Sequence, residues 1–257
     1  IAQNEIGQVD FKQIFSYLIM QSICGIIAYL ITSKYFKRSI PESIIWALTV
    51  ALSNHVTLLL PITEIYFQQN VITQVASIIL MDGIILLSVI AFFLELSTKK
   101  NVNLFNFIKN LFLNPFILSI IIGLLFLLLN FNIDQTPIEY TLSKLAACVS
   151  PVGLFAIGIT LSFYTKNVIN KLSVSISVLK LVISPIILLL IGLVFFNAGL
   201  PAEIPGAFFV SVAPCGVTSI VLCAAYNVSP ENIIKAIFVS TIASIGTIFF
   251  AIKYLTL

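Results

Sequence analysis

Apolar residues run through this chain in long blocks separated by short polar stretches, and the blocks have the length of membrane crossings. A transmembrane helix needs about 20 mostly apolar residues to cross a hydrocarbon core of roughly 30 Å. On that scale the pattern predicts spans near 11–33, 43–62, 71–96, 114–130, 141–163, 173–196, 203–226 and 231–255. Helix-start chemistry falls between them. Ser39-Ile40-Pro41-Glu42 and Thr136-Pro137-Ile138-Glu139 each fit a capping box with proline in or near the first turn. Ser229-Pro230-Glu231 is a similar start without the full box. The expected fold class is an all-α membrane protein of about eight transmembrane helices, forming a single domain over 1–257.

Composition agrees with that pattern. Hydrophobic residues make up 60% of the 257 and charged ones 9%, and the mean hydropathy is +1.13. A soluble domain carries about 25% charged residues, so this chain has too little polar surface to face water on all sides, and lipid is its first expected partner. A net charge of +3 is too small to point to nucleic acid. Cys24, Cys148, Cys215 and Cys223 all fall in apolar stretches without metal-ligand spacing, and His55 is the single histidine. Packed thiols are the simple reading, and neither a metal nor a cofactor is expected. Enzymatic signatures are missing too: the sequence has no GxSxG, HExxH, GxGD-type or glycine-rich phosphate motif. The chain opens on Ile1 without a signal-peptide n-region, and two further helices are expected before Phe11.

Loop charges set the orientation, because Lys and Arg are retained on the cytoplasmic side. Lys34, Lys37 and Arg38 lie in the 34–42 loop, Lys99, Lys100 and Lys109 in 97–113, and Lys166 and Lys171 in 164–172. The alternate loops 63–70, 131–139 and 197–202 hold no Lys or Arg. Both ends of the chain are therefore expected outside, which in a bacterium is the periplasmic face of the inner membrane. Sliding the chain by 161 residues places 11–33 on 173–196, 43–62 on 203–226 and 71–96 on 231–255, in opposite orientations by the charge rule. Ser16, Leu18, Val56, Thr57 and Ile72 then meet identical residues at Ser177, Leu179, Val217, Thr218 and Ile233. An inverted repeat is expected, with 1–96 the remainder of the first copy and 114–257 the second.

Polar residues inside the spans mark the candidate site. Ser53-Asn54-His55-Val56-Thr57 precedes Pro61, and Pro214-Cys215-Gly216-Val217-Thr218-Ser219 holds the matching proline. Proline removes a backbone donor and clashes with the carbonyl four residues earlier, so helices kink or break there. One kink would be ordinary. Two in matched register, with polar residues beside both, suggest discontinuous helices meeting near the midplane, their half-helix N-termini turned to an anion. Asn54, His55, Thr57, Thr218 and Ser219 would add donors. Asp82 lies mid-span, where a charge costs about 2.5–3.5 kcal/mol, and is a candidate proton or cation coupling group. Lys180 lies about seven residues into its span. It has three options: pairing with Asp82, attracting a substrate, or snorkelling to the interface. Glu95, Lys235 and Lys253 read as interfacial.

In order and spacing these residues resemble the auxin efflux carrier family, which includes the plant PIN carriers and bacterial malonate-type permeases. Asn54 with Pro61 resembles the broken fourth helix of that family. Pro214-Cys215-Gly216, running to Ala225-Tyr226-Asn227-Val228-Ser229-Pro230-Glu231, resembles its ninth helix and the EYNVxPD-like turn that follows. Asn114-Pro115 with Gly123 resembles the sixth helix, Pro151-Val152-Gly153-Leu154 with Gly158 the seventh, and Lys180 with Pro185 the eighth. The likeness covers essentially the whole chain, as helices three to ten of a ten-helix fold. It departs at Val56 and Leu59, where bacterial relatives often have glycines, and at His55, which is unusual beside the asparagine.

The resemblance implies two inverted five-helix repeats with crossing broken helices. It also implies a secondary carrier of a small carboxylate, such as malonate, malate or an auxin-like acid, working by alternating access. The expected substrate-binding residues are Asn54, His55, Thr57, Pro61, Pro214, Cys215, Gly216, Thr218 and Ser219. Asp82 and Lys180 are the expected coupling residues, with a proton or sodium as the ion. A homodimer is left open, as are a sodium-coupled carrier of the bile-acid symporter type and a membrane sensor that binds without transporting.

Overall fold

The computed structural model describes residues 10–98, 104–113, 115–129, 133, 135–164, 168–197 and 200–256, and every regular element among them is a helix. The long helices are α1 (Phe11–Tyr35), α4 (Gln69–Thr98), α7 (Pro137–Ser162), α8 (Lys171–Phe196) and α11 (Glu231–Thr256). Between them lie α2 (Ile40–Ala51), α3 (Leu60–Tyr66), α5 (Leu104–Phe112), α6 (Pro115–Leu128), α9 (Pro205–Ser211) and α10 (Thr218–Ala225). The five long ones are long and apolar enough to cross a membrane.

Two expected spans are not continuous. The 43–62 stretch is α2, a gap, and a π-helical turn at His55–Leu59 that leads into α3, and the 203–226 stretch is α9, a gap and α10. Both breaks fall at the expected prolines; a difference concerns 97–113, read as a loop, which contains α5. Its Phe105, Phe107, Ile108 and Phe112 alternate with Asn106, Lys109 and Asn110 at helical spacing, but nine residues are too few to register as a span. Asn114, Lys99, Lys100 and Lys166 lie outside the described residues. In the sequence register of 161 residues, α1, the α2–α3 pair and α4 meet α8, the α9–α10 pair and α11 in the same order.

Local chemistry explains the helix starts. Asp10 caps α1 by accepting from the Lys12 amide at 2.9 Å. Ser39 Oγ accepts from the Glu42 amide at 3.4 Å, but Glu42 does not return to Ser39. Its carboxylate is drawn to Trp46 Nε1 (3.5 Å) and Arg38 (3.6 Å), so only half of that capping box forms. At α7, Thr136 Oγ1 accepts from the Glu139 amide at 3.3 Å, and Glu139 accepts from Gln135 N rather than from Thr136. A full box appears where none was expected, between Asn170 and Ser173 at the start of α8.

Packing turns the usual exposure pattern inside out. α1 lies along α2 and α8, α8 along α11, and α4 against α2 and α9, around a core with Tyr17, Trp46 and Phe209 fully buried. Asp82 and Lys180 are 0% exposed, whereas Phe163 is 76% and Phe250 70% exposed. Charged groups inside and aromatic rings outside are what a lipid solvent selects. Three of the four thiols, Cys24, Cys215 and Cys223, are packed as expected, but Cys148 is exposed on α7. Lys235, read as interfacial, is buried and paired with Glu231 at 2.7 Å one turn back on α11.

Candidate functional site

The two broken helices cross at their gaps and are joined there by backbone hydrogen bonds. Ser53 and Cys215 form an isolated antiparallel bridge; Asn54 N donates to Pro214 O at 2.9 Å and Gly216 N to Leu52 O at 2.8 Å. The approach is so close that a Cβ on Gly216 would lie 2.8 Å from Leu52 Cβ, Cγ and O. Glycine is thus required at 216 for contact with Leu52, whatever its backbone angles.

Each proline frees a carbonyl, and each freed carbonyl finds a specific donor. Pro61 cannot donate to Thr57 O, which accepts instead from Ser150 Oγ of α7 at 2.6 Å. Pro214 cannot donate to Val210 O, which accepts from Ser53 Oγ at 2.9 Å. Asn54 N has turned away to Pro214, so Val50 O at the end of α2 accepts from Lys180 Nζ at 2.8 Å. Thr247 Oγ1 donates to Val212 O at 2.9 Å. In a low-dielectric interior each orphaned group would cost about 1–3 kcal/mol, so this set of donors is what allows the helices to be interrupted.

Ser53 is the hub of the crossing. Its hydroxyl donates to Val210 O and accepts from Lys180 Nζ at 2.8 Å. Tyr17 OH lies 3.1 Å away and must be the donor, because the single serine proton is already committed. Lys180 is therefore neither snorkelling nor paired with Asp82. Its ammonium is held by the uncapped C-terminal end of α2, where the helix dipole favours a cation. Asp82 pairs instead with His55, Nε2 to Oδ2 at 3.0 Å, both side chains buried. His55, Asp82 and Lys180 all sit in π-helical turns, at His55–Leu59, Asp82–Leu86 and Leu179–Ile183. Such turns are frequent at functional sites.

Asn54 is oriented by its neighbour. Thr57 Oγ1 donates to Asn54 Oδ1, which fixes the amide so that Nδ2 is the end left to face outward from the pair. Asn54 is 3% exposed, and its Nδ2 has no hydrogen-bond partner among the described residues. The same holds for His55 Nδ1 and Asp82 Oδ1. Thr57 is itself clamped, its carbonyl by Ser150 and its methyl by Gly153, where an added Cβ would lie 2.7 Å away. Two half-helices begin here without side-chain caps, the turn after Asn54 and α10 after Val217, which leaves their first amides without side-chain acceptors from the cap residues.

The other expected site residues divide. Pro214, Cys215 and Gly216 form the second gap, with Cys215 N donating to Ser240 Oγ at 3.2 Å. Thr218 is half-buried in the first turn of α10. Ser219 is spent on the fold, its hydroxyl donating to Gly216 O at 2.8 Å. Ser53 stands in the first break without a role legible in the sequence; the residues that sequence reading missed are Tyr17, Gln13 and Gln74, the side-chain oxygens of the last two accepting from Ala207 N and Gly206 N at the start of α9 (both 3.1 Å). Polar residues on α1 and α4 were the only available signal for these. The apolar groove of about 650 Å³ between α8, α9 and α11 is lined by Pro185, Phe208 and Phe250 among others and reaches Val212 and Thr247 beside the second gap.

No curated protein matches this chain. The family model described as membrane transport protein matches residues 3–252, nearly the whole length. A multi-pass helical protein with polar groups gathered where two interrupted helices cross is a structure suited to moving a solute, and the chain belongs to the membrane transport protein family, the auxin efflux carriers.

Proposed function

We propose that this membrane transporter is a secondary carrier of a small carboxylate, which binds at the crossing of the two broken helices. The observation that carries the reading is the Asn54 amide: buried, aligned by Thr57, and with its donor end unpartnered. A neutral amide binds a carboxylate without adding a competing full charge. The uncapped starts of the His55–Leu59 turn and α10 add partial positive charge on the same side of the problem. Pro61 and Pro214 keep the gaps from closing into continuous helix. Asp82 with His55, and Lys180 with Ser53, supply the charges that tune binding.

The offset of 161 residues and the alternation of basic loops support an inverted repeat, with 1–96 and 114–257 as its parts. Alternating access follows if the two copies exchange conformations about the crossing. The same loop charges place both ends of this chain outside, as in a bacterial inner-membrane protein. Counterflow tests the function. Proteoliposomes preloaded with unlabelled malonate, malate or indole-3-acetate should take up the labelled form of at least one of them transiently above equilibrium. Binding without such exchange would contradict a carrier and favour a sensor.

A further inference from the structure

We propose that the apolar groove between α8, α9 and α11 is a binding site for an anionic phospholipid, with one acyl chain lying in the groove and the phosphate on Lys253 at its mouth. The site is independent of what the carrier moves.

Large residues build the groove where the matching helices have small ones. In the register of 161 residues, Pro185, Ile186, Leu189, Phe208 and Val212 correspond to Cys24, Gly25, Ala28, Ala47 and Ala51. There α1 closes on α2: a Cβ added to Gly25 would lie 3.6 Å from Ala47 O and from Ala51 Cβ, in ordinary contact. The bulkier set keeps α8 and α9 apart and leaves a space of about 650 Å³. Walls without partner atoms forfeit their dispersion contacts, so a groove that opens on hydrocarbon takes hydrocarbon in.

One end of the groove is polar. Lys253 is exposed and is the only charged residue in the lining, and Tyr254, 52% exposed, stands beside it near the end of α11. Lys253 has no hydrogen-bond or ion-pair partner among the described residues. Pro201 also lines this end, but Glu203, two residues further on, is turned to Leu200 N at 2.8 Å. Lysine and tyrosine are the usual anchors at head-group level, and a basic residue there attracts lipid of net negative charge. A zwitterionic lipid offers the same chains, but its ammonium would meet Lys253 with no acid to receive it. The length also fits. At 1.5 Å per residue, α8 runs about 12 Å from Leu189 to Leu181 and α11 about 9 Å from Lys253 to Thr247. One leaflet of a roughly 30 Å core is about 15 Å deep, so the groove holds most of one chain and leaves the head group at the interface.

The inner end touches the interrupted helices. Leu181 and Val182 belong to the Leu179–Ile183 turn that carries Lys180, and Thr247 Oγ1 bonds Val212 O at the end of α9. A bound chain packs against the back of both and so stabilises the folded protein by mass action.

The test is lipid binding by the whole purified protein in detergent, read as bound-lipid adducts in native mass spectrometry and as the midpoint of thermal unfolding. The probes are dioleoyl phosphatidylglycerol, dioleoyl phosphatidylcholine and glycerol phosphate. At about 100 times its dissociation constant, phosphatidylglycerol should raise the midpoint by roughly 5–11 °C, and glycerol phosphate should not. Lys253→Gln should weaken phosphatidylglycerol about fivefold, the effect of one basic residue at an anionic head group, and leave phosphatidylcholine unchanged. Ile186→Trp, which fills the groove from a half-exposed position, should weaken both lipids. Lys144→Gln is the control: Lys144 lies over the Tyr140 ring on α7, 5.4 Å from its centroid and outside the groove, and its loss should change nothing. Equal losses in Lys144→Gln and Lys253→Gln would overturn the site, as would an equal shift from glycerol phosphate alone. Phosphatidylglycerol binding that survives both Lys253→Gln and Ile186→Trp, as it would if a second copy or another protein segment filled the groove, would overturn it too.

Discussion

Removing one oxygen atom at Ser53 perturbs the crossing at its most connected point. In Ser53→Ala, Tyr17 OH loses its partner, Lys180 Nζ keeps only Val50 O, and Val210 O keeps only the amide of Ala213 at 3.2 Å. A buried polar group left unpaired costs about 1–3 kcal/mol and a lost hydrogen bond to a charged group about 1.5–3 kcal/mol, so the loss should total about 3–6 kcal/mol. At about 2–4 °C per kcal/mol for a chain of this size, the midpoint of thermal unfolding should fall by roughly 6–24 °C. The assay is thermal unfolding of purified protein in one detergent, followed by intrinsic fluorescence and by the fraction remaining monodisperse. Thr141→Ala is the control: its exposed hydroxyl only returns to Pro137 O at 2.8 Å, and the change should stay within about 0.5 kcal/mol. In a double variant with Lys180→Met the two losses should not add, since each already breaks their shared contact. A Ser53→Ala midpoint indistinguishable from that of Thr141→Ala would refute the idea that the crossing depends on this hub.

Other consequences can be checked separately. Gly216→Ala should abolish folding or transport, because its Cβ would collide with Leu52 at 2.8 Å, whereas Gly158→Ala meets nothing within 4 Å and should leave expression and melting unchanged. Pro61→Ala restores an amide that competes with Ser150 for Thr57 O, so the turnover rate in counterflow should drop more than the binding affinity. For topology, a cysteine at Gln68 should react with an impermeant maleimide from outside, and one at Lys37 only after permeabilisation, in a background where exposed Cys148 is serine. The reverse labelling would invert the assigned orientation, and labelling of both from the same side would contradict a membrane crossing between them.

The sequence carried the parts of this structure that depend on local chemistry. Pro61 and Pro214 announce broken helices because a missing N–H acts on the carbonyl one turn back, wherever the chain then goes. Basic loops and apolar blocks likewise act through the solvent they meet. The partners of the freed groups were not legible. Ser53 and Lys180 are 127 residues apart, and Lys180 and Val50 are 130 apart. Nothing near Lys180 in the chain distinguishes a side chain that snorkels from one that reaches a helix end in the core. His55 and Asp82 were each singled out, yet their pairing, across 27 residues, depends on how α4 passes the first gap. Helix α5 was missed for a different reason: a nine-residue amphipathic turn between two membrane segments has no length signal.

Carboxylate binding at the crossing is tested most directly by the affinity of Asn54→Ala for the probe that passes the counterflow assay. Asn54 Nδ2 bonds to none of the described residues and Oδ1 accepts only from Thr57 Oγ1 among them, so the variant should fold and insert with a melting midpoint lowered by no more than that one hydrogen bond, about 0.5–1.5 kcal/mol. Losing a hydrogen bond to the charged ligand should cost about 1.5–3 kcal/mol, which is roughly a 10- to 150-fold weaker equilibrium dissociation constant. A folded Asn54→Ala protein that binds the probe as tightly as the parent would contradict a carboxylate site at the crossing of the broken helices.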